Sequence, residues 1–520
     1  MYDLIIKNSV VIDGTGSPGF HADVAVKDGR IARIGRGLTG AAKTLDAAGL
    51  AVTPGFIDSH SHADSSVLRF PDLTEKVEQG ITVNIAGQCG SSATPLSRTE
   101  KREKYHDLEG LGNTFDLRSD PVKFFSALRG LPLGCNTAFL IGHGTLRKAV
   151  MGMENRAPTP AELEQMKSLL RTAMEHGARG LSFGLYYAPG SYAATDEAVE
   201  IARVAGEFGG VISAHVRNEG PTLAKSVREF LTIAEQAGTR AVVSHHKACD
   251  TSESWGKVSH TLRMIDEANA HGMDVYCDVY PYTATSTGLA AVFLPTEELA
   301  RGVDGVKQCL ADPAYRARMR EWSVARYDDE TCDWVFVTQC TAFPEFGGRY
   351  ISDVAAETGR DPFDVIYDIL LASKDNYCPA CFFTICEEDV ETVMRHPRAM
   401  ICTDSGVTAK PGQLHHPRLR AAFPRALGHY VRERKVVTLP EMIRKMTSMP
   451  AQVYDLPTKG LVREGMDADL CVFDPDTIRD TCRFDDCRRR NEGLRFVLIA
   501  GEVVAEDAVY NGKRMAKALL

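Results

Sequence analysis

The sequence predicts an α/β protein: a (β/α)8 TIM-like barrel, with a small β-sandwich formed by both termini and an inserted lid subdomain. Three observations predict it. From about 54 to 450 the chain alternates short apolar runs with amphipathic segments at helical spacing, the rhythm of a parallel sheet covered by helices. Eight of those runs are each followed by polar or glycine-rich residues, and eight such units closing on themselves make a barrel. The first fifty residues read as short strand-like runs separated by Asp-Gly and Gly-rich turns, and a similar strand texture returns only at the far end.

Within the first fifty residues, strands are expected at 4–6, 10–12, 24–26 and 31–34, with Asp-Gly turns at 13–14 and 28–29. The same texture returns at 468–473 and 495–504, so residues 1–54 and 452–520 are assigned to the sandwich and 55–451 to the barrel. The eight barrel runs are 55–58, 81–86, 137–141, 179–183, 211–214, 241–244, 273–279 and 400–403. Leu163, Met166, Leu169, Leu170 and Met174 recur at helical spacing in a segment that stops at Gly177. Runs 334–339 and 381–385 also read as strands, and 288–350 is long for one βα connection, so an inserted lid is expected there.

Composition narrows the function classes. The 520 residues are 44% apolar, 25% charged and 8% aromatic, which excludes a disordered, collagen-like or disulfide-stapled chain. A net charge of −9 argues against a broad nucleic-acid-binding face. No run approaches the 18 or so apolar residues of a membrane-spanning helix, and no export signal is visible, so a cytoplasmic protein is expected. In a reducing compartment the fourteen cysteines read as small buried hydrophobes, metal ligands or nucleophiles. Cys378 and Cys381 have CxxC spacing, but with no second CxxC or His pair behind them the motif reads as structural.

Chemistry-bearing residues gather at the ends of the expected strands. His60 and His62 follow the first run two apart, so both project to one side of an extended segment. Cys89 closes ITVNIAGQC, His215 closes VISAH, His245 and His246 close AVVSHH, and Asp404 closes AMICTD. Alone, each also suits a buried thiol, a core histidine or a helix N-cap. Together they fall where a barrel builds its active site, and N, S and O donors suit zinc better than magnesium or calcium.

A long, ordered series of motifs then carries a resemblance. VIDGTG, PGFIDSHSHAD, AGQCG, GHGTLR, GLYYAPGSYA, HVRNEG, SHHK and DVYPYTATST resemble the N-acyl-D-amino-acid deacylase (D-aminoacylase) branch of the amidohydrolase superfamily. HPRLRAAFPRALGHYV, KMTSMPAQVYDL and REGMDADLCVFDPDTIRD continue it to the end of the chain. The resemblance implies a tight zinc held by Cys89, His215 and His245, with His246 as the alternative to His245. It implies a weaker metal position at His60, His62, Cys89 and Asp404, and a substrate carboxylate bound by Lys247, Tyr280 and Arg418, with Ser286 nearby. Asp404 is the implied proton shuttle. The implied partner is a small N-acyl amino acid, with no nucleic acid and no membrane.

Departures from the branch pattern cluster around the expected pocket. Gln88 replaces an Asn, Thr403-Asp404-Ser405 replaces Ser-Asp-Gly, Thr285 replaces a Gly, and LSFGLYYAP differs from the usual STGLxYPP. None removes a ligand; they bear on which acyl group and side chain are accepted. A cyclic-amide hydrolase of the hydantoinase or dihydroorotase type is the alternative enzyme, although the GLSFGL run lacks the lysine those enzymes carboxylate. A non-catalytic barrel scaffold is the alternative of a different class, against which stands the complete ligand set.

Overall fold

A computed structural model describes residues 1–97, 113–374, 376–408 and 413–520. Its centre is eight parallel strands: β1 (Phe56–Ser61), β2 (Ile81–Ala86), β3 (Asn136–Phe139, continued by Ile141–Gly142), β4 (Gly180–Gly184), β5 (Val211–His215), β6 (Arg240–Val243), β7 (Val275–Val279) and β8 (Ala399–Ile401). Each pairs in parallel with the next, β3 turning the corner by pairing β2 through its first part and β4 through its second. A parallel bridge between Ser61 and Ser405 closes the ring. All eight expected runs overlap barrel strands, because strands covered on both faces read as largely apolar runs.

Helices cover the outside. The one at Pro160–Glu175 starts with a capping box, in which Thr159 and Glu162 each serve the other's backbone, and it buries Met166, Leu170 and Met174. No described helix is long and apolar enough to cross a membrane.

Both chain ends enter one nine-stranded sheet, joined where Ala51–Pro54 pairs antiparallel with Leu470–Phe473. Its core includes Ile6, Val24, Ile31, Leu470 and Leu498. The expected strands 4–6 and 10–12 are a single strand, Tyr2–Val11. Asn8 takes a left-handed φ of 61° there, at the point where the register slips between Ile6 and Ser9.

Between β7 and β8 the chain leaves the barrel to form a lobe. Thr285–Gly288, Pro379–Phe382, Val335–Val337 and Arg349–Tyr350 make an antiparallel sheet, backed by helices around Phe293, Ile366 and Leu370. The expected interval 288–350 is only its first part. Runs 334–339 and 381–385 contribute strands to this sheet and none to the barrel, so the lobe extends to Phe382. Cys378 and Cys381 are buried within it. We propose dividing the chain accordingly into a terminal sandwich, a barrel and this inserted lobe.

Glycine is required where β4 meets the turn after β2. A Cβ on Gly184 would lie 2.1 Å from the Cys89 carbonyl oxygen, and one on Gly90 would lie 2.5 Å from the Gly184 nitrogen. Gly184→Ala should therefore lower stability by about 1–3 kcal/mol in urea denaturation, the usual cost of overpacking, and displace the Cys89 turn. Gly130, which has nothing within 4 Å of its missing Cβ, is the control. Equal urea midpoints for the two alanine variants would disprove the close approach.

Candidate metal centre and substrate cavity

The strand ends deliver the chemistry. His60 lies in β1 and His62 just beyond it, their rings 5.4 Å apart. His215 is the last residue of β5. Cys89, His245 and Asp404 leave the ends of β2, β6 and β8 with left-handed φ values of 53°, 34° and 46°. Such backbone is costly for residues with a side chain, and a functional site is where that cost is commonly tolerated.

Two donor groups share the Cys89 thiol: His60, His62, Cys89 and Asp404, and Cys89, His215 and His245. Cys89 Sγ lies 3.3 Å from His60 Nε2, 3.3 Å from His245 Nε2 and 3.9 Å from His215 Nδ1. Sulfur and nitrogen bound to one tetrahedral zinc lie about 3.6 Å apart, so these separations and donor types fit the ion. Burial holds the His60, His215 and His245 rings well below the usual histidine pKa, leaving them neutral and free to donate a lone pair. Burial also raises the Cys89 thiol well above its ordinary value. A bound cation reverses that preference.

Asp404 faces both the donors and the cavity. Its Oδ1 lies 3.1 Å from His62 Nε2 and 3.5 Å from His60 Nε2, and its Oδ2 lies 2.7 Å from Arg418 Nη1. Burial would raise this carboxyl, but Arg418, His245 and His62 hold it well below the usual carboxylate range. Arg418 Nη1 makes no aligned hydrogen bond despite that contact. The guanidinium sits 4.6 Å from the centre of the Tyr280 ring, whose buried hydroxyl has no partner among the described residues. A ligand carboxylate could engage the unpartnered Tyr280 hydroxyl and the Arg418 guanidinium, which is ion-paired with Asp404 but makes no aligned hydrogen bond through Nη1. Ser286, on the lobe strand, offers its carbonyl oxygen to Arg418 Nη2 at 3.5 Å.

The two adjacent histidines separate cleanly. His245 faces Cys89, whereas His246 Nε2 lies 2.8 Å from Thr261 Oγ1, outside the donor set. Lys247 lines the cavity, but its Nζ donates to Glu219 Oε1 at 2.6 Å.

Sequence reading missed Glu219 and Asp278. Glu219 Oε1 lies 3.1 Å from His245 Nδ1, and its Oε2 lies 3.3 Å from His215 Nε2. Asp278 is fully buried in β7 and accepts from the His245 backbone amide and, at 3.3 Å, from Ser59 Oγ. The signals available were a carboxylate four residues beyond a ligand histidine and an acid inside an apolar strand. Gln88, just past β2, ties β1 and β5 together, donating to Ser59 O at 3.1 Å and accepting from Ser213 Oγ at 2.6 Å.

Above these groups lies a cavity of about 510 Å³. It is lined by Cys89, His215, His245 and Asp404 at the strand ends, by Tyr186 and Tyr187 after β4, and by Trp334, Tyr327 and Phe382 of the lobe. Tyr186 and Tyr187 pack their rings 5.3 and 4.8 Å from that of His215. Of the departures from the branch pattern, the LYYAP turn and Thr285 line the cavity, while Gln88 and Thr403 are buried in the framework beneath it.

Comparison with known proteins follows the same outline. The model of the amidohydrolase family matches residues 43–505. The chain is 34% identical to a D-aminoacylase of Alcaligenes xylosoxydans xylosoxydans, over 100% of this chain and 97% of that one. A solved D-aminoacylase, studied for one-metal activation and second-metal attenuation at its binuclear centre, superposes with a TM-score of 0.83 at 32% identity and full coverage of both chains. A solved N-acyl-D-glutamate deacylase of Bordetella bronchiseptica, with zinc and a phosphonate mimic of the tetrahedral intermediate, gives 0.81 at 34% identity, covering 100% of this chain and 99% of that one.

The geometry predicts opposite outcomes for the neighbouring histidines. His245→Gln should lose zinc in metal analysis, while His246→Gln should retain it. Burial lowers His246 to about 4 from an ordinary 6.5. As pH falls from about 6.5 to about 4, the unfolded chain takes up a proton that the folded chain refuses, so stability falls by about 3 kcal/mol. His246→Gln should flatten that slope in pH-dependent urea denaturation. An unchanged slope would remove His246 as its source.

Proposed function

We propose that this chain, which belongs to the amidohydrolase family, hydrolyses the linear amide bond of N-acyl-D-amino acids, giving a carboxylate and a free D-amino acid. The observation that carries the reading is the Cys89 thiol shared by two donor groups, with Asp404 and Arg418 at the same cavity floor. In this reading Cys89, His215 and His245 hold the tighter zinc, and His60, His62, Cys89 and Asp404 form a second, weaker position. Zinc, when bound, supplies Lewis acidity that makes water nucleophilic near neutral pH and polarises the scissile carbonyl.

The chain's own groups supply the rest. Asp404 is held ionised, so it can accept a proton from the attacking water and return it to the departing amine nitrogen. Arg418 presents a planar fork to the substrate carboxylate, Tyr280 adds a hydroxyl, Lys247 adds nearby positive charge, and Ser286 borders the same region. With the carboxylate held and the carbonyl fixed over the donor set, inversion at Cα sends the side chain to the opposite wall, which selects the D form. We assign the protein to the cytoplasm, consistent with fourteen free cysteines. A cyclic-amide hydrolase is disfavoured because β4 carries no lysine and Cys89 occupies the shared position.

Two experiments test this reading. Asp404→Asn should fold and retain the tighter zinc but lose about 10²–10⁴-fold in kcat, because an amide cannot shuttle the proton. Turnover near wild type would transfer that role to another group. The second compares N-acetyl-D- with N-acetyl-L-amino acids, and each acid with its ester, in wild type and Arg418→Ala. Wild type should favour the D acid and lose about 10²-fold in kcat/KM on esterification, the scale of a charge-assisted pair worth about 3 kcal/mol. Arg418→Ala should lose a similar factor on the acid and little more on the ester. Equal hydrolysis of acid and ester by wild type would reject carboxylate recognition.

A further inference from the structure

Glu219 stands in the loop after β5, four residues beyond His215, and is 7% exposed. Its backbone carbonyl accepts from Cys249 N at 2.9 Å, which ties this loop to the one after β6. Its two oxygens divide between two rings, Oε2 lying 3.3 Å from His215 Nε2 and Oε1 lying 3.1 Å from His245 Nδ1. These are the ring nitrogens remote from Cys89. The nitrogens facing the thiol are His215 Nδ1 and His245 Nε2, at 3.9 and 3.3 Å.

A neutral imidazole offers a metal one lone pair only when its proton sits on the other nitrogen. His215 Nε2 is buried and makes no hydrogen bond, and the Glu219 carboxylate is the acceptor beside it. Beside His245 Nδ1 there is also Lys247 Nζ, at 2.9 Å. An ammonium cannot accept that proton. If it donated to Nδ1 instead, the ring proton would move to Nε2 and block the nitrogen that faces Cys89. Only the carboxylate leaves both histidines in the tautomer that binds metal, and Lys247, 2.6 Å from Oε1, offsets its buried charge.

We infer that Glu219 is a positioning residue for the set Cys89, His215 and His245, accepting the remote ring protons of both histidines at once. This rests on the metal assignment proposed above. Outer-sphere partners of this kind are typically worth 10–100-fold in metal affinity.

The test measures zinc dissociation constants by competition with a chromophoric chelator for wild type, Glu219→Gln and the double variant Glu219→Gln/Lys247→Met. Glu219→Gln should bind zinc about 10–100-fold more weakly while melting as a folded protein. The double variant should stay weak, because glutamine has one acceptor oxygen and an NH2 donor, so removing the cation does not restore an acceptor for both ring protons. Recovery of wild-type affinity in the double variant would show that Glu219 only neutralises Lys247, and would overturn the inference. Wild-type affinity in the single variant would overturn it as well. Should the single variant fail to fold, the double variant, which leaves no unpaired buried charge, gives the decisive constant. A wild-type chain that takes up no zinc would overturn the metal assignment and this inference together; the other outcomes leave that assignment intact.

Discussion

The barrel closes through a short seam, and the site is built on that seam. Strand β8 has three residues, and beyond it Asp404 N donates to His60 O at 2.9 Å while His62 N donates to Ser405 O at 3.0 Å. Beneath these bonds the fully buried Lys76 ammonium donates to Asp58 Oδ2, Thr403 Oγ1 and Ser405 O, each at 2.8 Å. Asp58 in turn accepts from the Thr403 amide and hydroxyl. Removing one partner of a buried pair usually costs about 3–5 kcal/mol, because the remaining charge stays out of water. Here the same interaction also sets the distance between the HxH pair and Asp404. Stability and donor geometry therefore depend on one cluster.

Charge around the cavity floor is organised in pairs. Arg418 faces Asp404, Lys247 faces Glu219 and Lys76 faces Asp58, while the three inner histidines stay neutral. Asp278 has no Lys or Arg beside it among the described residues, and burial raises it to about 7, with the His245 amide working against that rise. Such pairing keeps anionic donors available without an uncompensated buried charge. Aromatic side chains from the β4 turn and from a lobe with its own apolar core form part of the remaining cavity lining. The donor groups thus sit at barrel strand ends, and part of the cavity lining comes from a separate sheet. Differences in accepted acyl group and side chain can arise there without disturbing the seam.

Local pattern alone determined much of this protein. Short, largely apolar runs marked all eight barrel strands, since both faces of each are covered. The positions of His60, His62, Cys89, His215, His245 and Asp404 at strand ends marked a candidate site before any contact was known. Tertiary structure decided what periodicity cannot express. His245 and His246 are adjacent, and which one faces the donors depends on a turn where His245 takes a φ of 34°. Glu219 and Lys247 meet across two loops separated by 28 positions in sequence, so neither residue type nor spacing announces the pair. The lobe reaches Phe382 because Pro379–Phe382 pairs with Thr285–Gly288, a long-range register that an apolar run does not specify. Sequence carries the burial of each segment; the pairing between segments exists only once the chain has closed on itself.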